Sequence, residues 1–236
     1  MSDNYSIDDD YSLTELVIFH MNDLINGKIP NTITHLTIGN IFDQLLVKDF
    51  LPNSIQYLTF CGFINQKLDK DFFPNSITHL IFSGTFCQKI YKDFLPNSLQ
   101  YLTFDSWFDQ KLDKDFLPDS LQCLTFGTSF NQEIVKGVLP NSITHLTFGP
   151  IFNHKLHKDI LPSSLQYLKL GIHFDQELNN LPSSLQILIL EFNNYQLLNL
   201  PIGLKKLKIK YYNKLNYIKV PYGCICCDSN DKPIPI

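Results

Sequence analysis

Proline recurs along this chain at a fixed interval. Pro30, Pro52, Pro74, Pro96, Pro118, Pro140 and Pro162 are each 22 residues apart, and Pro182, Pro201 and Pro221 follow at gaps of 20, 19 and 20. A period of this size marks a stacked-repeat architecture, in which each repeat is one supersecondary unit that buries its apolar face only against its neighbours. The 236 residues therefore read as one array rather than two globular domains.

Aligned on the proline, the chain resolves into columns. Three residues on stands Ile33, Ile55, Ile77, Leu99, Leu121, Ile143, Leu165, Leu185 or Leu204. Six residues on stands leucine in every repeat, from Leu36 through Leu124 to Leu207. Eight on stands Ile38, Phe60, Phe82, Phe104, Phe126, Phe148, Leu170, Leu190 or Ile209. Alternation at the last two columns predicts a short strand with one buried face. Equivalent strands of successive repeats must then pair in parallel, about 4.8 Å apart. The return half of each repeat carries two more apolar columns. One runs Phe42, Ile64, Phe86, Phe108, Phe130, Phe152, Phe174; the other runs Leu46, Leu68, Ile90, Leu112, Ile134, Leu156, Leu178. That half is too short for a long helix, so extended or single-turn helical structure is expected there. The "PNS" and "PSS" steps read as turns.

The expected fold is a leucine-rich-repeat-like solenoid. It has a parallel β-sheet of about ten strands on one face and irregular or short helical-turn connections on the other. Residues 1–12 read as an acidic tail and 13–223 as the solenoid. Within it, regular repeats run from 30 to 181 and degenerate capping repeats lie at 13–29 and 201–223. Residues 224–236 read as a C-terminal tail.

Composition excludes several classes. A formal charge of -4 gives no global reason to expect nucleic acid. The chain has no arginine, and so no planar fork for phosphates or guanine edges. No stretch is apolar enough to span a bilayer, and the acidic N-terminus is unlike a signal peptide. These features predict a cytoplasmic protein that binds neither membrane nor nucleic acid.

The phrases "FDQKL" (108–112), "FNQEI" (130–134) and "FNHKL" (152–156), each inside a 22-residue leucine-rich unit, resemble the FNIP repeat. That leucine-rich-repeat-like family is known from social amoebae and giant viruses. "LPSSLQILIL" (181–190) is also similar to the leucine-rich repeats of bacterial secreted effectors. Both resemblances imply a curved solenoid that binds other proteins, in the host cytoplasm if viral. The family resemblance further implies an alternative: a substrate-recruiting adaptor in ubiquitin ligation. Twelve residues before the first repeat are too few for an F-box, so such an adaptor would lack its own docking module. The resemblance also departs in one respect. The asparagine of ordinary leucine-rich repeats, three residues past the last strand leucine, is matched only by Asn193. A polar column two residues later takes its place (Asp43, Asn65, Cys87, Asp109, Asn131, Asn153, Asp175), which predicts a wider turn.

The candidate binding face is the exposed side of the sheet, where solenoids usually bind. Its residues alternate with the leucines: His35 and Thr37, Tyr57 and Thr59, His79, Tyr101 and Thr103, Thr125, His145 and Thr147, Tyr167 and Lys169, then Lys206, Lys208 and Lys210. Tyrosine is favoured in interfaces. A plainer reading also fits: "ITHL" alternates with "LQYL", so a two-repeat unit copied in tandem would give the same columns. The three C-terminal lysines read either as an attractor for an acidic partner or as a charged edge that blocks strand addition. Metal binding by His35, His79 and His145 is not expected, since strands two repeats apart lie roughly 10 Å apart. Cys224, Cys226 and Cys227 lack zinc-site spacing and read as buried thiols of a cap. Asp49, Asp71, Asp93, Asp115 and Asp159 recur with the "KDF" phrase and read as solvated turn polarity. No residue set outside a repeating column suggests catalysis, so neither enzyme activity nor a cofactor is expected. A monomer with protein partners is.

Overall fold

The computed structural model describes residues 14–24, 27–39, 46–62, 68, 70–84, 86, 91–193, 197–212 and 218–234. The tail expected at 1–12 lies outside them, as do Phe42, Ile64, Ile90, Asp43, Asn65 and Cys87 of the expected columns.

Each repeat contributes one short strand. They are β1 (Glu15–Ile18), β2 (His35–Ile38), β3 (Tyr57–Cys61), β4 (His79–Ser83), β5 (Tyr101–Phe104), β6 (Cys123–Phe126), β7 (His145–Thr147), β8 (Tyr167–Leu170), β9 (Ile187–Asn193), β10 (Lys206–Tyr212) and β11 (Ile225–Cys227). All eleven form a single sheet in chain order, each neighbouring pair parallel. Register is set by the leucine column: Leu36 pairs with Leu58, Leu58 with Leu80, and so on to Leu188 with Leu207. A one-residue slip would turn that whole column to solvent. The leucines are instead all but fully buried.

Behind the sheet runs a double file of phenylalanine. Within a repeat Phe104 stacks on Phe108, Phe126 on Phe130 and Phe148 on Phe152, each with ring centroids 3.9 Å apart. Between repeats the rings stack more loosely, as at Phe60–Phe82 (5.6 Å), Phe82–Phe104 (5.5 Å) and Phe108–Phe130 (6.0 Å). Each such buried ring contributes roughly 1.5–3 kcal/mol, so this file and the leucine column are what hold one repeat on the next.

Two turns close each repeat. In the first, the proline carbonyl accepts the N–H of the residue three further on, as in Ile33 to Pro30, Leu121 to Pro118 and Leu204 to Pro201. In some repeats the serine two residues past the proline reaches across to the preceding repeat: Ser98 Oγ donates to the Ile77 carbonyl and Ser120 Oγ to the Leu99 carbonyl, both at 2.6 Å, whereas the buried Ser54, Ser76 and Ser142 hydroxyls make no such bond. The second turn carries the "KDF" aspartate in the left-handed region, with φ between 62° and 67° at Asp49, Asp71, Asp93, Asp115 and Asp159. Aspartate is one of the few side chains that tolerate this conformation. Gly137, in the same column, has φ 85° and needs no such tolerance. The aspartate therefore does more than solvate the turn; it permits the backbone geometry. Its carboxylate also pairs with the lysine of the repeat before, as in Lys70–Asp93, Lys92–Asp115 and Lys136–Asp159.

The polar column of the wide turn is likewise an inter-repeat device. Asp109 Oδ1 accepts the Asn131 N–H, Asn131 Oδ1 that of Asn153, and Asn153 Oδ1 that of Asp175, at 2.9–3.0 Å.

The boundary expected at residue 223 is corrected. Ile225–Cys227 form β11, with Cys226 paired opposite Leu207 and buried in the leucine's place. The chain then turns and folds back. Cys227 bridges Pro233 in antiparallel fashion, and the Ile234 N–H donates to the Cys226 carbonyl. A proline on this edge offers no N–H for further pairing. The register of β11 is shifted by one residue against the proline period, which hid the strand from a column reading.

Candidate protein-interaction face

The face opposite the phenylalanine file presents the residues that alternate with the leucines. On it His35, Tyr57, His79 and Tyr101 form one continuous stack. Each successive pair of ring centroids is 4.1 Å apart, with planes 7–23° from parallel. The column is interrupted at Cys123 and resumes as His145–Tyr167 at 5.5 Å. Over β3–β5 the exposed rings thus stand closer than the roughly 4.8 Å between strands, and the buried phenylalanines stand farther apart.

Stacking consumes the ring planes and leaves the edges outward. Tyr57 and Tyr101 remain 37% and 39% exposed. The histidines are anchored from the side by the threonine that precedes each. Thr34, Thr78 and Thr144 Oγ1 lie 2.8–2.9 Å from Nδ1 of His35, His79 and His145. That bond occupies one ring nitrogen and leaves Nε2 for a partner. Burial between two tyrosines lowers the basicity of His79, with His35 adding to the effect. Its imidazole is therefore held neutral, in keeping with a face that carries little charge.

Thr37, Thr59 and Thr103 line the next column, with Thr125 and Thr147 beyond, and all are half-buried. Ile81 stands among them, 38% exposed. Tyr57, Thr59, His79, Ile81, Tyr101 and Thr103 together surround a shallow depression of about 240 Å³. Ile81 breaks the threonine column and faces this depression. That break in the column was the signal for it in the sequence.

The lysines do not join this group. Lys169 is paired with Glu191 at 2.9 Å. Lys206 and Lys208 both bind Asp231, at 2.6 and 3.2 Å, while Lys210 lies 5.2 Å over the Tyr211 ring. Asp231 is held down to about 2 by its hydrogen bonds to the two lysines. An unpaired basic strand is thus not what the C-terminal fold-back produces. Its carboxylate comes from a turn 23 residues further along the chain than Lys208. Burial pushes up the nearby thiols, Cys226 to about 11, and Cys224 and Cys227 in the same direction, which leaves them poor nucleophiles. Among the described residues no group of three or more His, Cys, Asp or Glu side chains is placed to hold a metal ion, and no helix is long and apolar enough to cross a membrane.

The repeat boundaries agree with a family model. The FNIP Repeat model matches residues 22–62, 65–106, 108–150 and 152–193, together more than half of the chain. The chain belongs to the FNIP repeat family. Each FNIP match contains two strands, so the family unit is a pair of successive repeats. Among solved structures the chain is similar to CroV588 of a giant virus, described as a novel circular LRR protein, with 35% identity and a TM-score of 0.69. The match covers 85% of this chain and 34% of that one, so the FNIP chain spans about a third of that protein's length. No curated protein matches it.

Proposed function

We propose that this FNIP-repeat solenoid is a non-enzymatic, cytoplasmic protein-binding scaffold, monomeric on its own, whose partner lies on the exposed sheet face. The observation that supports this reading is the stacked His35–Tyr57–His79–Tyr101 column with its exposed edges. Such a column offers rigid aromatic area and outward hydroxyl and imidazole groups at low entropic cost, the properties favoured in interface centres. The depression around Ile81 supplies a place for an apolar anchor. A repeated column suits no single active site, because each polar residue on it recurs with the repeat.

The test is affinity capture from amoebal lysate with the wild type and with a Tyr57→Ala, Tyr101→Ala variant, folding being checked by circular dichroism. A partner retained by the wild type and lost with the folded variant is then purified and its affinity measured directly. Equal capture by both proteins contradicts the reading.

A further inference from the structure

The residue directly after the proline follows a rule through most of the chain. From Asn31 to Ser183 it is always Asn, Asp or Ser, as a solvated turn requires. In the next two repeats it is Ile202 and Tyr222. Their side chains stand free in solvent, 94% and 106% exposed. A single exposed apolar residue needs no explanation. Here two occupy adjacent turn tips, leading into the paired strands β10 and β11, and each is followed by a glycine (Gly203 and Gly223).

Charge changes sign at the same place. From residue 197 onward the chain holds seven lysines and two aspartates; before it, twelve lysines face twenty-one acidic residues. Lys205 and Lys219 flank the two tips in sequence and are exposed. Lys206 and Lys208 share one carboxylate between two ammonium groups, so that trio stays positive.

We infer that this end of the solenoid docks on an anionic lipid surface, with Ile202 and Tyr222 entering the headgroup layer and the lysines facing acidic lipids. Tyrosine suits that boundary, where its ring is apolar and its hydroxyl wet. Surface lysines are drawn to anionic leaflets. The shape favours lipid over a folded partner. Two protruding tips bury far less than the roughly 800 Å² per side of a stable protein interface, whereas a fluid bilayer closes around any protrusion. Attachment of this kind needs no spanning segment, and it departs from the sequence expectation that the protein meets no membrane.

The experiment is co-sedimentation of the full chain with vesicles of phosphatidylcholine mixed with phosphatidylserine, and with phosphatidylcholine alone. The account predicts binding to the mixed vesicles, weak binding to the neutral ones, and release by raised salt. An Ile202→Asn, Tyr222→Asn variant restores the turn residue used by the other repeats, so its melting curve should match the wild type, and its vesicle binding should fall by about tenfold or more. A Lys205→Gln, Lys219→Gln variant should weaken only the anionic component. Absence of binding, or binding that ignores both variants, overturns the proposal. So does a chain that leaves the vesicles unbound while its C-terminal end binds an acidic polypeptide such as polyglutamate, which would assign this surface to a protein partner.

Discussion

Two ladders of rings run along this solenoid, one on each side of the same sheet. On the inner side phenylalanines stack between repeats at 5.5–5.6 Å through Phe60, Phe82 and Phe104. On the outer side Tyr57, His79 and Tyr101, on the same strands, stack at 4.1 Å. By contact distance the outer ladder is the tighter one. By burial the order reverses, since the phenylalanines are fully enclosed and the tyrosines more than a third exposed. Area removed from water, rather than ring–ring attraction, dominates the energy of an aromatic side chain. The two ladders therefore have similar geometry and different consequences: the inner one holds the repeats together, and the outer one is free to meet a partner.

The sharpest way to break this comparison is to truncate one ring on each side. Phe126→Ala should cost about 3–5 kcal/mol and, in a stacked array, unfold the neighbouring repeats as well. Tyr101→Ala should cost only about 0.5–1.5 kcal/mol, the scale of an aromatic pair. Urea unfolding of both variants measures the difference, and equal losses would show that the outer ladder is core.

The turns set the spacing of both ladders, so a strained turn should disturb them together. Asp71 sits at φ 67°. Asp71→Val places a β-branched side chain there and should destabilise by about 1–3 kcal/mol. Asp71→Gly should stay within about half a kcal/mol of the wild type, since Gly137 already occupies this column in its own repeat at φ 85°. Thermal melts of the two variants check the claim.

Mild acid should act on the outer ladder through His79. Because His79 is less basic in the folded chain than its ordinary 6.5, the unfolded chain binds the proton first as pH falls below that value. Stability should therefore decline with acidification through and below pH 6.5, and His79→Tyr should flatten that slope. Proton NMR should find the His79 ring titrating at lower pH than an unperturbed imidazole.

The smallest effect belongs to the C-terminal fold-back. Asp231 is depressed to about 2, so its contribution is present above its ordinary 3.8 and is lost as pH falls from there toward 2. Asp231→Asn should remove that acid sensitivity and raise hydrogen exchange in β11, with little change in global stability, because exposed ion pairs are weak.

Much of this was legible in the sequence because a strict period carries it. The prolines fixed the repeat, and the leucine and phenylalanine columns gave the strands, their register and the buried face. What the columns hid has three physical sources. Backbone handedness leaves no trace in an apolar pattern, so the left-handed aspartates read as solvation, although Gly137 in their column was a hint. A strand built on cysteine and shifted by one residue, as in β11, matches no leucine template. The partnership of Asp231 with Lys206 and Lys208 depends on a fold-back that brings a turn onto an earlier strand. The outer columns themselves were visible, but their alternation was equally readable as tandem copying. In the fold, His35 to Tyr101 become a continuous stack and His145–Tyr167 a separate pair, each of these histidines held by its preceding threonine.

The most direct test reads stability and binding on one variant. Tyr57→Ala, Tyr101→Ala should unfold in urea near the wild-type midpoint while losing the captured partner. A variant that keeps its partner, or that loses it only because its midpoint has fallen as far as that of Phe126→Ala, would contradict the claim that the outer ladder exists for binding.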